Sequence, residues 1–154
     1  ASEFVDEGPI LNTTDRYGSR AYSTQGNTLP NLPVAVLIDR GTASAAEILA
    51  GAIQDHRMGV LVGERSFGKG LIQTPFTLSD SSAVIITTGE YTTPNGHQVQ
   101  DLGLVPDIPV SNGGEEDSQL LTGLAWVEER LGTLCPCSAG DDPSSEAPLL
   151  LIQD

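Results

Sequence analysis

Residues 34–38, Val-Ala-Val-Leu-Ile, form a short apolar run rich in β-branched side chains. Such a run without polar alternation predicts a strand covered on both faces, here the central strand of a parallel sheet. After the polar stretch Asp39-Arg40-Gly41-Thr42, residues 44–56 place Ala45, Leu49 and Ile53, with Ile48 and Ala52 beside them, on one broad face at helical spacing. This predicts a largely buried helix. Gly59 to Gly63 reads as a second buried strand. Strand, helix and strand then make a crossover, which is right-handed in nearly all folds.

The flanking segments have a different rhythm. Pro9 to Thr14 and Ser19 to Ser23 surround the turn-type quartet Asp15-Arg16-Tyr17-Gly18 and predict an edge hairpin. Leu71 to Leu78 and Ala83 to Tyr91 flank Ser79-Asp80-Ser81-Ser82 and predict a second antiparallel pair. Leu120, Leu124, Val127 and Leu131 recur at helical spacing, with Glu115, Glu116 and Asp117 before them and Gly132 after them. The pattern predicts an amphipathic helix that ends at Gly132.

At 154 residues the chain suits one compact α/β core. Its formal net charge of −14 repels phosphate backbones and anionic headgroups, which argues against nucleic-acid and membrane-surface partners. No apolar run approaches the roughly 20 residues of a membrane-spanning helix. Residues 111–154 hold nine acidic side chains against one arginine, with Pro, Ser and Gly gathered after Gly132. This composition divides the chain into a core, 1–132, and a flexible acidic tail, 133–154. Cys135 and Cys137 are one residue apart, and two cysteines with two histidines make no zinc constellation. The start, Ala-Ser-Glu-Phe-Val, carries no targeting pattern, and a fragment of a longer protein is the expectation.

Lys69 is the single lysine of the chain and lies between Gly68 and Gly70. A solvated loop charge is its ordinary reading. A phosphate-binding loop is a second, because Gly63, four residues, Gly68 and Lys69 match most of that motif. Gly70 stands where the motif needs a hydroxyl, and a strand-like rather than helical segment follows, so nucleotide binding is disfavoured.

The third reading pairs Lys69 with Ser44, placed where the first buried strand turns into the buried helix. Such an elbow presents a side chain at the carboxyl edge of a sheet. The N–H of Ala45 and the positive end of the helix dipole would there stabilise an oxyanion. Ser44-Ala45-Ala46-Glu47 is equally a capping box, with a purely structural role for the serine. A serine nucleophile needs a base, and a lysine serves only when neutral, as burial in an apolar pocket favours. Phe67, Leu71 and Ile72 are the candidates to exclude water. Gln73 is near enough to orient the amine, or is simply a polar strand residue. His56 and His97 fit surface or capping roles better than that of a base.

Residues 41–47, Gly-Thr-Ala-Ser-Ala-Ala-Glu, and 63–74, Gly-Glu-Arg-Ser-Phe-Gly-Lys-Gly-Leu-Ile-Gln-Thr, resemble the carboxy-terminal processing, or tail-specific, serine protease family. Residues 88–96 and 103–107 look like its later blocks, so the resemblance spans about residues 1–131. It implies a crotonase- and Clp-protease-like α/β fold, Ser44 as nucleophile, Lys69 as general base, Gln73 as the residue orienting the lysine, and Ala45 as one oxyanion amide. It also implies a Ser-Lys dyad acting through an acyl-enzyme without metal or organic cofactor. Protein substrates with apolar C-terminal ends and an extracytoplasmic setting, periplasm or plastid lumen, follow from the same resemblance. Family members carry an upstream Gly-Gly oxyanion segment and a PDZ domain, both expected before Ala1, so these residues alone are expected to be nearly inactive. A non-catalytic ligand- or peptide-binding module of the same fold is the alternative. The resemblance assigns nothing to the tail.

Overall fold

The computed structural model describes residues 1–26, 29, 32–111 and 116–134. Seven strands and two helices follow in the order β1 Pro9–Asp15, β2 Gly18–Ser23, β3 Val34–Ile38, α1 Ala45–Asp55, β4 Gly59–Gly63, β5 Leu71–Thr77, β6 Ala83–Thr92, β7 Ile108–Pro109 and α2 Ser118–Leu134. The expected crossover is β3-α1-β4, with Val34 paired to Gly59 and Ile38 to Gly63 in parallel register. Both expected hairpins form, β1 with β2 and β5 with β6.

The strands divide between two sheets. One is four-stranded and antiparallel in the order β2-β1-β6-β5, and the other is three-stranded in the order β3-β4-β7. The expectation of a central position for Val34–Ile38 is therefore corrected: β4 is central, and β3 is an edge of the described sheet. What the apolar run reported was coverage of both faces, which an edge strand shares when helices pack above and below it. Alternate residues show this directly. Val36, Ile38 and Leu61 join Ala50 and Ile53 of α1 in one core, whereas Ala35, Val60 and Val62 meet Val127 of α2 in another.

The first core also contains Tyr91 of β6 together with Val99 and Leu104. It is this contact that seats the antiparallel sheet against α1. Helix α2 runs through Gly132 to Leu134 rather than ending at Gly132. A glycine there weakens a helix without being required to stop it. The expected tail from 133 thus begins inside the helix, and residues 135–154, with Cys135 and Cys137, lie outside the described residues.

Candidate active site

The polar turn after β3 is built by Asp39. Its Oδ1 accepts from the N–H groups of Gly41 at 2.8 Å and Thr42 at 3.0 Å, while Thr42 Oγ1 accepts from Asp39 N–H at 3.0 Å. The chain leaves this turn at Ser44, the N-cap of α1, with φ 57 and ψ −116. That backbone is a strained, positive-φ conformation, which costs a non-glycine residue about 1–3 kcal/mol. Ser44 is exposed. It stands in a capping-box arrangement with Glu47, whose Oε2 accepts from Ser44 N–H at 2.9 Å. An ordinary cap has an extended backbone, from which the positive φ of Ser44 departs. The adjacent Ala45 N–H has no acceptor inside the helix.

Residues 64–70 connect β4 to β5 in an extended course with alternating burial. Ser66, Gly68 and Gly70 point inward, and Arg65, Phe67 and Lys69 point outward. The inward positions lie against residues 99–104. A Cβ on Gly68, at φ +90, would stand 2.8 Å from Gly103 N, and one on Gly70 would stand 2.5 Å from Gln100 N. Side chains are sterically excluded at both. Main-chain bonds from Asp101 N–H to Gly68 O at 2.9 Å and from Phe67 N–H to Thr42 O at 2.9 Å fix the loop on both sides.

This alternation corrects one expectation. Lys69 is exposed, and Phe67 is 66% exposed, so neither Phe67 nor its neighbours enclose the amine. The inward direction is already filled by backbone of 99–104, which leaves the odd-numbered side chains facing out. Gln73 is also exposed and follows a bulge between Ile72 and Gln73 in β5. The loop runs directly into a strand, and the helix N-terminus on which a bound phosphate would rest is missing at that point.

Two side chains tie the Ser44 elbow to the Lys69 loop. Glu47, 0% exposed, receives four hydrogen bonds: Ser44 N–H and Lys69 N–H to Oε2, both at 2.9 Å, and Ser66 Oγ at 2.6 Å and Gly68 N–H at 2.7 Å to Oε1. An acceptor-only carboxylate is thereby saturated, which is how a buried charge is tolerated. Ser66 Oγ in turn accepts from Leu104 N–H at 2.7 Å. Tyr91 places its hydroxyl 3.0 Å from Ser44 O and 2.8 Å from Lys69 O. Burial, and after it the charge of Glu47, push the Tyr91 phenol well above the usual tyrosine range. In the sequence Glu47 shows as the partner in a local capping box, and Tyr91 as a strand residue within the 88–96 block, with nothing to join either to the lysine loop.

The histidines lie elsewhere. His56 caps the far end of α1 and bonds Pro9 O at 2.7 Å through Nε2, and His97 faces Asp55 at 3.4 Å. Ser44 is a helix length away, roughly 16 Å for 11 residues.

Comparison with known proteins gives this fold its class. The family model for peptidase family S41 matches residues 1–110, and the chain belongs to that family. Among its relatives, the chloroplastic C-terminal processing peptidase of Tetradesmus obliquus is 46% identical over 110 residues, 70% of this chain and 24% of that protein. The carboxyl-terminal-processing protease of Synechocystis sp. is 44% identical over 105 residues, 68% of this chain and 25% of that protein. Among solved structures, a photosystem II D1 C-terminal processing protease superposes with a TM-score of 0.70 at 42% identity, covering 82% of this chain and 33% of that one. A lipoprotein from Streptococcus agalactiae, at 20% identity and a TM-score of 0.67 over 84% of this chain and 47% of that one, shares the fold alone. The chain spans about a quarter of the length of the curated relatives it matches.

Proposed function

We propose that the chain carries the catalytic dyad of a carboxyl-terminal-processing serine endopeptidase, with Ser44 as nucleophile and Lys69 as general base. The observation that carries this reading is the strained Ser44 backbone at the tip of α1, joined to the Lys69 loop by Glu47 and Tyr91.

In the proposed cycle, neutral Lys69 Nζ takes the proton of Ser44 Oγ as Oγ attacks the scissile carbonyl carbon. The oxyanion faces Ala45 N–H and the helix dipole. Collapse of the tetrahedral adduct breaks the C–N bond, and the leaving amine takes the proton from Nζ. Water then attacks the acyl-serine, Nζ accepts its proton, and the second collapse frees the new carboxyl end and returns the proton to Ser44 Oγ. Gln73 orients Nζ.

The substrate in this reading is a protein chain with an apolar C-terminal segment, laid in extended form beside a strand. The edge strand β5 begins two residues after Lys69. The chloroplastic and bacterial relatives support an extracytoplasmic or lumenal setting. With a second oxyanion donor supplied from outside these residues, the chain alone hydrolyses at least about 100-fold more slowly than the complete protein.

The test is cleavage of a protein with an apolar C-terminal tail by the complete protein and by its Ser44→Ala and Lys69→Ala variants. Both substitutions should lower kcat/KM by about 1,000-fold or more. Full activity in Lys69→Ala would rule out the dyad.

A further inference from the structure

We infer that Tyr91 is a positioning residue for the Ser44–Lys69 pair, its hydroxyl setting the distance between the elbow and the lysine loop. This rests on the Ser-Lys reading above and adds to it a residue that touches neither substrate nor reacting atoms.

Tyr91 lies near the end of β6, where the strand is paired on both sides: Thr13 of β1 stands opposite Tyr91, and Glu90 pairs with Leu71 of β5. Its backbone is thus part of a rigid sheet. From that base it reaches the site twice. Its N–H donates to Gly70 O at 2.8 Å, immediately after the lysine, and its hydroxyl lies within hydrogen-bond distance of both Lys69 O and Ser44 O. Those two carbonyl oxygens can be no further apart than the two bonds laid end to end.

The acceptors are not equivalent. Ser44 O already accepts from Ile48 N–H at 3.0 Å, the first bond of α1. Lys69 O has no other donor among the described residues. Removing the hydroxyl alone therefore leaves Lys69 O without its donor, while Glu47 and the Tyr91 N–H still hold the loop and the helix keeps its own bond. Tyr91 is 4% exposed and belongs to the core with Val36, Ile53 and Leu104, so its ring is anchored independently of the hydroxyl. The phenol stays protonated and available as donor across the physiological range, since burial opposes its ionisation.

Glu47 completes the arrangement from the N–H side. It binds the amides of Ser44 and Lys69, and the Tyr91 hydroxyl shares its one proton between their carbonyls, at 2.8 Å from Lys69 O and 3.0 Å from Ser44 O. A displacement of about 1 Å between nucleophile and base is enough to cost on the order of 100-fold in rate.

The experiment compares Tyr91→Phe with the parent in the complete protein, with Ser44→Ala and Lys69→Ala measured beside them. Tyr91→Phe keeps the ring and should lower kcat about 10- to 100-fold with KM within about twofold. The rate at which a fluorophosphonate phosphonylates Ser44 Oγ, releasing fluoride, should fall by the same factor, and the melting temperature should move only a few degrees. Tyr91→Phe with kcat within twofold of the parent, while Ser44→Ala and Lys69→Ala are dead, would overturn the positioning role and leave the dyad standing. A drop in activity that simply tracks the folded fraction would also overturn it, because that is the signature of a structural residue. Retained activity in Ser44→Ala and Lys69→Ala would remove the dyad itself and the role of Tyr91 with it.

Discussion

Ser44 and Lys69 donate their main-chain N–H groups to the same oxygen, Glu47 Oε2, at 2.9 Å each. A single carboxylate therefore registers a strand-to-helix elbow against a loop that enters from the next strand. Neither can shift without stretching a charge-assisted bond in a buried setting, where such bonds are strongest.

The strain at Ser44 should be visible as a difference in stability between two Ser44 variants. At φ 57 and ψ −116, glycine fits without strain and alanine does not. Ser44→Gly should be more stable than Ser44→Ala by about 1–2 kcal/mol. Thermal or urea unfolding of both proteins measures it, and equal stabilities would show that the elbow carries no strain.

Gly70 should tolerate no side chain. The Cβ of Gly70→Ala would stand 2.5 Å from the main-chain nitrogen of Gln100, so the loop or the 99–104 segment must move. The expected cost is about 1–3 kcal/mol, with a loss of hydrolysis larger than the loss of folded protein. Circular dichroism together with kcat separates the two effects.

The raised pKa of Tyr91 predicts a weakening fold in alkali. In the unfolded chain this phenol ionises near the ordinary tyrosine value of about 10, whereas in the native protein burial, then the charge of Glu47, hold it neutral. Above that pH the unfolded state has bound fewer protons than the native state, so stability falls as pH rises. The contribution is complete below about pH 10 and is lost above it. Tyr91→Phe should flatten this part of the curve, and an unchanged slope in urea unfolding across that window would contradict the assignment.

Arg40 and Glu64 form an ion pair at 2.7 Å on the surface. A hydrogen bond from Ser111, and after it the one from Arg40, lower the pKa of Glu64. Because the pair is solvated, Arg40→Ala should leave the melting temperature nearly unchanged, while Ser111 still holds the Glu64 titration below its usual value. Carboxyl NMR of Glu64 against pH reads the second point directly.

Mg-ATP should not move the melting temperature, although Gly63, Gly68 and Lys69 mimic part of a phosphate-binding loop. A ligand that binds the native state must raise it. The chain after Lys69 is strand β5, and it brings no row of helical N–H groups to a phosphate.

The local elements were legible in the sequence because each rests on neighbours within one segment. The apolar run 34–38, the helical face of 45–55 and the two hairpins match strands and helices of the structure to within a residue or two. Ser44 at its elbow was legible for the same reason, since the change from strand to helix falls there. The central placement of β3 was not, because coverage by helices on both faces looks the same in an edge strand and an inner one. The helix end at Gly132 failed because packing of Val127, Trp126 and Leu131 decides where α2 persists, and a glycine only lowers the margin.

The sequence by itself determined the hydrophobic periodicities, the turn at Asp39 to Thr42, the position of Ser44 before a helix and the placement of Lys69 between two glycines. All of these follow from interactions spanning a few residues. Tertiary structure alone decided that Lys69 faces outward, that Glu47 serves the lysine loop as well as its own helix, and that Tyr91 reaches both Ser44 and Lys69. Those bonds join segments 22 to 47 residues apart, and a hydrogen bond over such a separation leaves no local pattern. It exists only once the two sheets have packed against α1 and brought donor and acceptor within 3 Å or so of each other.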